Sequence, residues 1–411
     1  MATLEGQTIA GSYKDLLQVS NSNSGVDATA RAVSDGEGTA TLLYVSTTEV
    51  YSPGTGGSNN TAFGINAGDA LATNGDSNTV YGAEAATALS TADRNVAIGH
   101  NAFYQATSGA DDNVAIGYNT MSGGFGSNAV DDCVIIGSGA AAGVLTSAAS
   151  GTVAVGKGAL AALTSGQTNT AVGFMALNAE DTNQQNTAIG HNALLVQNGA
   201  DSNTAIGREV GKTISTGGDN TLVGTNAALL LSTGAGNAVL GAFAFDSAAV
   251  GESNNVAIGY GAMGSVDEGT AGGDADLNIA IGYQALLGGD FSTNDRQLHG
   301  NIAIGAYALD ATGANAQSGT MAIGQESLTA LTSGVGNTAV GFETGRLTTT
   351  GTNNTYVGYQ AGDATHIDAS SNTIVGSGSF GGSHTGTVCH YNVAVGANTL
   401  LGAMNGVDGT V

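Results

Sequence analysis

Between Asn169 and Gly241 the chain reads NTAVGFMALNAEDTNQQ, NTAIGHNALLVQNGADS, NTAIGREVGKTISTGGD, NTLVGTNAALLLSTGAG and then NAVLG. Each block opens on Asn, passes through alternating β-branched and small residues to a glycine, and ends in a polar tail. Such alternation predicts a short strand over the five residues ending in the glycine, because alternate side chains of a strand share a face. A second apolar segment follows, as at Ala159-Leu160, Ala176-Leu177, Ala193-Leu194 and Ala308-Leu309, and predicts a second strand or turn. The Thr, Ser, Gly, Asn and Asp of LTSGQTN and LTSGVGN supply the turn that returns the chain to the next Asn. A block this short cannot bury its own apolar side, so its recurrence predicts stacked coils of an all-β solenoid.

Extended in both directions, the pattern places its glycine at nineteen positions from Gly64 to Gly396, with steps of 17 or 18 residues dominating and the longest reaching 23. Residues 58–411 are therefore expected to form one β-solenoid rod of nineteen coils, on the order of 90 Å long at the rise between adjacent strands. Residues 1–52 lack the repeat and read as a small β-rich N-terminal domain, with a turn at Ser34–Gly38 and a strand in TLLYVSTTEVY. Residues 53–57, opening on the chain's single proline, are the linker.

Three columns follow from the stacking. The repeated Asn predicts a ladder of side-chain amides, interrupted at Cys133, Thr152 and Thr320. The repeated glycine predicts positive φ or close backbone approach. The strand's two β-branched positions line one side, and the residue between them, Ala in most coils (Ala97, Ala115, Ala171, Ala188, Ala205, Ala257, Ala303), keeps the other side small. An Ala stripe along the whole rod invites a close neighbour, and self-association about a threefold axis is expected from it.

The charge balance, 33 acidic residues against 8 Lys and Arg for a net −25, narrows the partners. The few cations are scattered, which argues against nucleic-acid binding, and the acidity reads first as solubility. No stretch approaches the ~18 apolar residues of a membrane span, so membrane insertion is not expected. The segment MATLEGQTIAGSYKDLL has no basic start leading into an apolar run, from which cytoplasmic synthesis is expected. Cys133 and Cys389 lie too many coils apart to bridge and read as small buried hydrophobes.

The motifs NVAIG at Asn95 and Asn113, NVAIGYGA at Asn255 and NTAIGHNA at Asn186 resemble the repeats in the head domains of trimeric autotransporter adhesins. The resemblance covers about residues 60–400 and implies a left-handed parallel β-roll in a homotrimer. The longer coils, and the lack of a signal peptide, heptad stalk or C-terminal membrane barrel, depart from those adhesins. A short N-terminal domain followed by such repeats looks more like a bacteriophage tail or capsid fibre. That likeness implies a noncatalytic virion structural protein made in the host cytoplasm, docked on a capsid or tail protein through residues 1–52. Its rod would project toward a host-surface glycan or protein. A bacterial cell-surface adhesin is the alternative, and behind it a fibre-borne polysaccharide-degrading enzyme.

Candidate chemistry is sparse, and no catalytic residue, cofactor or metal ligand is assigned. Two long loops gather acids, Asp267, Glu268, Asp274 and Asp276 in the first and Asp290 and Asp295 with Arg296 and His299 in the second. Calcium is the ion they would suit, although GGDADLN matches neither the glycine-rich nonapeptide calcium pattern nor an EF-hand loop. His384, Cys389 and His390 have no zinc spacing. The position after the repeat glycine carries a ring in His100, Tyr118, Phe174, His191, Tyr260, Tyr283, Phe342 and Tyr359, a candidate surface-contact column.

Overall fold

The computed structural model describes residues 59–402 apart from 72–74, 107–108, 126–128, 267–274, 289–296, 313–316, 365–367 and 383–388, and the backbone of four strands before residue 52. The chain divides into two compact units, Met1–Gln184 and Gln185–Val411. The described elements are β-strands joined by turns, with a single 3-10 turn at Ser147–Ala149.

In the first unit, β1 (Gln18–Val19), β2 (Arg31–Ser34), β3 (Ala40–Val45) and β4 (Val50–Tyr51) pair antiparallel in that order. The strand expected in TLLYVSTTEVY is thus two strands, and most of the Ser34–Gly38 turn lies outside the described residues. Seven coil strands follow, from Thr61–Phe63 to Thr170–Val172, and the second unit holds twelve more, from Thr187–Ile189 to Val393–Val395. Within each unit successive coils pair parallel and in register, as Val96↔Val114, Ala97↔Ala115 and Ile98↔Ile116, or Ala257↔Ala280 and Ala280↔Ala303. The second unit adds a short parallel pair, Leu298–His299 with Gln317–Ser318. The architecture is an all-β parallel solenoid.

Each coil strand is three residues long rather than five, so its backbone ladder is short. The Asn before it compensates. Asn95 donates its backbone N–H and its Nδ2 to Asn78 Oδ1, at 3.0 and 3.1 Å, and Nδ2 also reaches Ala110 O at 2.7 Å across the coil. In the second unit Asn237 bonds Asn220 and the Glu252 carbonyl, and Asn255 in turn bonds Asn237 Oδ1. All of these amides are buried. Where the Asn is replaced, part of the pattern survives. Cys133 N–H still donates to Asn113 Oδ1 and its Sγ lies 3.5 Å from Ala149 O, while Thr320 N–H donates to Asn301 Oδ1. Cys133 therefore fills an amide's place as well as a hydrophobe's.

The repeat glycine sits where coils touch backbone to backbone. Gly224 has φ +143°, and a Cβ built on it would meet Gly241 O at 2.3 Å. Beyond the glycine the second apolar segment, expected as a strand or a turn, is a turn in which the second and fourth residues are left-handed, as Asn101 and Phe103, both at φ 56°. Their N–H groups point opposite ways, Asn101 to Ala83 O and Phe103 to Thr120 O, so the turn still hydrogen-bonds both neighbouring coils. This backbone also lets two consecutive side chains, Ala102 and Phe103, turn inward together, which the alternation of a strand forbids.

The core reverses one expectation. In the strands Val96–Ile98 and Val256–Ile258 the central Ala is fully buried and the flanking Val and Ile are half-exposed. The Ala column lines the interior, and the β-branched side faces out. A coil closed by touching backbones is too narrow for two Ile side chains, so the smallest residue goes in. Larger strand centres require a vacancy opposite. Tyr356 lies where a Cβ on Gly345 or Gly362 would come within 2.7 Å of its ring, and Leu222 lies 2.9 Å from a Cβ on Gly211.

Asn237→Ala should cost about 2–4 kcal/mol in denaturant unfolding, because the Asn255 amide and the Glu252 carbonyl lose a buried partner, and Asn237→Thr about half as much. Gly224→Ala is expected to be worse than either, since the clash is with backbone that cannot rotate away. Expression as soluble, β-rich protein by circular dichroism would contradict that.

Candidate functional site

Two surfaces stand out on the coils. The first is the outward face of the strands, formed in every coil by the residues three before and one before the repeat glycine. Stacking turns these into two parallel columns, Thr187, Thr204 and Thr221 beside Ile189, Ile206 and Val223, for example. None of these outward positions, from Thr61 and Phe63 to Val393 and Val395, carries a charge. Phe63, Tyr81, Ile189, Ile206, Leu240 and Val395 are all exposed. A solvated strand face is ordinarily polar, and this one is apolar or uncharged throughout.

The second is the ring column, whose members are exposed at the start of the turn. His100 and Tyr118 stack with centroids 5.6 Å apart in the first unit, which also holds Phe174. In the second unit, which begins its column at His191, Tyr260 and Tyr283 stack at 5.6 Å and Phe342 and Tyr359 at 5.5 Å. The column is broken by Lys157, Arg208, Thr225 and other non-aromatic residues, so it is a set of short stacks. Two further rings extend it. Phe243 packs edge-on against Tyr260, and Tyr307 against Tyr283. Both sit two residues after the repeat glycine, behind Ala242 and Ala306, an offset visible in the sequence as a ring displaced by one position. In this four-ring run Tyr260 and Tyr283 stack on one another and each also meets a ring edge-on, and both remain exposed.

Acidic residues fall mainly into turn columns with structural partners. Asp93, Asp111 and Asp131 each accept the backbone N–H of the acid one coil earlier, at 2.7 to 2.8 Å. Arg94 forks onto Asp112 at 2.6 and 2.8 Å, which holds that exposed carboxyl below its ordinary range. Of the two acidic loops, Asp267, Glu268, Asp274, Asp290, Asp295 and Arg296 lie outside the described residues. Asp276 accepts Ser253 N–H, and His299 lies in the short parallel pair. His384 also lies outside the described residues, Cys389 is buried, and His390 Nδ1 accepts Ser370 N–H. Among the described residues no three His, Cys, Asp or Glu side chains converge as a metal site. Burial pushes the Cys133 thiol up to about 11, which leaves it protonated and unreactive near neutrality.

Burial also raises the half-buried carboxyls of Asp246, Asp310 and Asp363 above the usual range, in the last case against the pull of Arg346. A carboxyl raised in the fold opposes folding when ionised, so its stabilising contribution is complete below the unfolded pKa and is lost as pH rises through the folded one. Asp246→Asn should accordingly raise the melting temperature at pH 7, and the gain over wild type should vanish as pH falls below the ordinary carboxylate range. An equal gain at both pH values would show that the charge is not the cause.

Comparison of the chain with protein-family models, with curated proteins and with solved structures returned no match.

Proposed function

We propose that this chain is a noncatalytic structural protein of a virion, a homotrimeric fibre of capsid or tail. Residues 1–52 dock it on the particle, and the coils project a stiff rod toward the host surface. The observation that carries this reading is the outward strand face, uncharged in a chain of net charge −25 and continuous from coil to coil within each unit. Twelve coils in the second unit, at about 4.8 Å each and two side chains wide, offer on the order of 600–800 Å², near what one partner contributes to a stable interface. A rotation axis parallel to the solenoid lets every coil meet its own copy. Threefold closure buries the face of all chains at once and multiplies weak contacts with a host glycan or protein through avidity.

Sedimentation equilibrium should give three times the 40.0 kDa chain mass, and the paired substitution Ile206→Asp and Ile258→Asp should release monomers by placing charges at the axis. A wild-type monomer at micromolar concentration would contradict the assembly. Electron cryomicroscopy of the particle carrying the chain tests its role. Rods attached through residues 1–52 to capsid or tail are expected, and rods rooted in a bacterial envelope would overturn the virion reading.

A further inference from the structure

Among the described coils the outward face is interrupted by an open groove. In the strand Ala238–Leu240 the position that holds Thr, Val, Ile or Met in every other coil holds Ala, and the position beside the glycine holds Leu. The missing side chain leaves a cavity of about 150 Å³ bordered by Thr221, Val223, Ala238, Leu240 and Ile258. Leu240, in the same coil, is 52% exposed, more than Ile189 or Ile206 in the same column. A hole and a projecting side chain therefore sit side by side at one height.

We propose that the groove over Ala238 receives Leu240 of a second copy of this chain, a knob-and-hole pair that fixes coil register in the oligomer. The inference rests on the homo-oligomeric reading above and adds to it which coils meet. A rotation axis parallel to the solenoid and centred between the two outward columns sets the column three before the glycine of one chain against the column one before the glycine of the next, at equal height. Ala238 then faces Leu240 of its neighbour. A shift by one coil would instead press Leu240 against Thr221 or Val256 and leave the cavity unfilled. The cavity accommodates a Leu-sized side chain, and an unfilled apolar void of that size is destabilising. The interior follows the same logic, with Gly211 opposite Leu222 and Gly345 and Gly362 around Tyr356. Elsewhere on the face the columns vary little, Val and Ile or Thr and Val recurring in adjacent coils, so most of it would tolerate a slip that this coil does not.

The test is a size swap on the full chain, read by sedimentation equilibrium, with circular dichroism confirming β content. Ala238→Leu and Leu240→Ala should each weaken association at least about tenfold, by clash and by void respectively. The double variant A238L/L240A, which exchanges knob and hole, should recover to within about threefold of wild type. Losses that simply add in the double variant would overturn the pairing while leaving the oligomer intact. A monomeric wild type would overturn both the pairing and the assembly on which it rests. If a single variant fails to fold, chains carrying A238C and chains carrying L240C can be folded together under oxidation. A covalent A238C–L240C dimer on a non-reducing gel is expected, and its absence overturns the proposal.

Discussion

The buried amide of the repeat Asn is the interaction on which the coil depends. A strand of three residues gives each coil too few backbone bonds to fix its neighbour, and parallel pairing is no stronger per residue than antiparallel. The Asn amide closes that gap in two directions. Its oxygen takes the next coil's backbone and side-chain N–H, and its nitrogen ties the strand to the returning turn of its own coil, as Asn113 does to Val130 O. Such a group is costly to lose because every neighbour is buried with it. Cys133 and Thr320 show the minimum that suffices, a backbone donor in register with a weak side-chain donor to the carbonyl opposite.

From that ladder follows the narrowness of the coil, and from narrowness the sense of its faces. Glycine columns bring backbones into contact, as Gly117 does with Gly137, leaving room inside for Ala at the strand and one larger side chain at the turn. The left-handed residues of the turn are strained individually, but each directs its N–H to an adjacent coil carbonyl, as Asn226 does to Arg208 and Ala228 to Ala244. Backbone strain is thus held by the same stacking that the Asn column enforces.

The period, the Asn ladder and the glycine approach were legible because each imposes a demand on one residue type at one position. The inward sense of Ala was not. Alternation assigns residues to two faces without saying which is inside, and with both faces apolar the usual polar label of the outer face is missing. Coil diameter decides it, and that depends on the glycines. The choice between strand and turn for the second apolar segment stayed open for a related reason. Consecutive Ala and Leu, as Ala176 and Leu177, are both buried, which signals left-handed backbone at alternate positions and excludes a strand. Phe243 and Tyr307 escaped the ring column because their offset by one residue matters in a turn that is not strand-like.

The division of charge over the coil surface links these local rules to assembly. Acids occupy the turns, where Asp93 and Asp111 serve as acceptors for backbone N–H groups that a tight turn leaves exposed, and they are excluded from the strand face. Solubility requires no such exclusion, since a Glu or Lys at an outward strand position would satisfy it and would spare the surface its exposed Val and Ile. In the parallel rotational assembly proposed above, an outward residue meets the other outward column of the next copy at the same height, so a single carboxylate would be repeated at every interface with no counterion within reach. The described acids sit in the turns instead, and a net charge of −25 opposes nonspecific association.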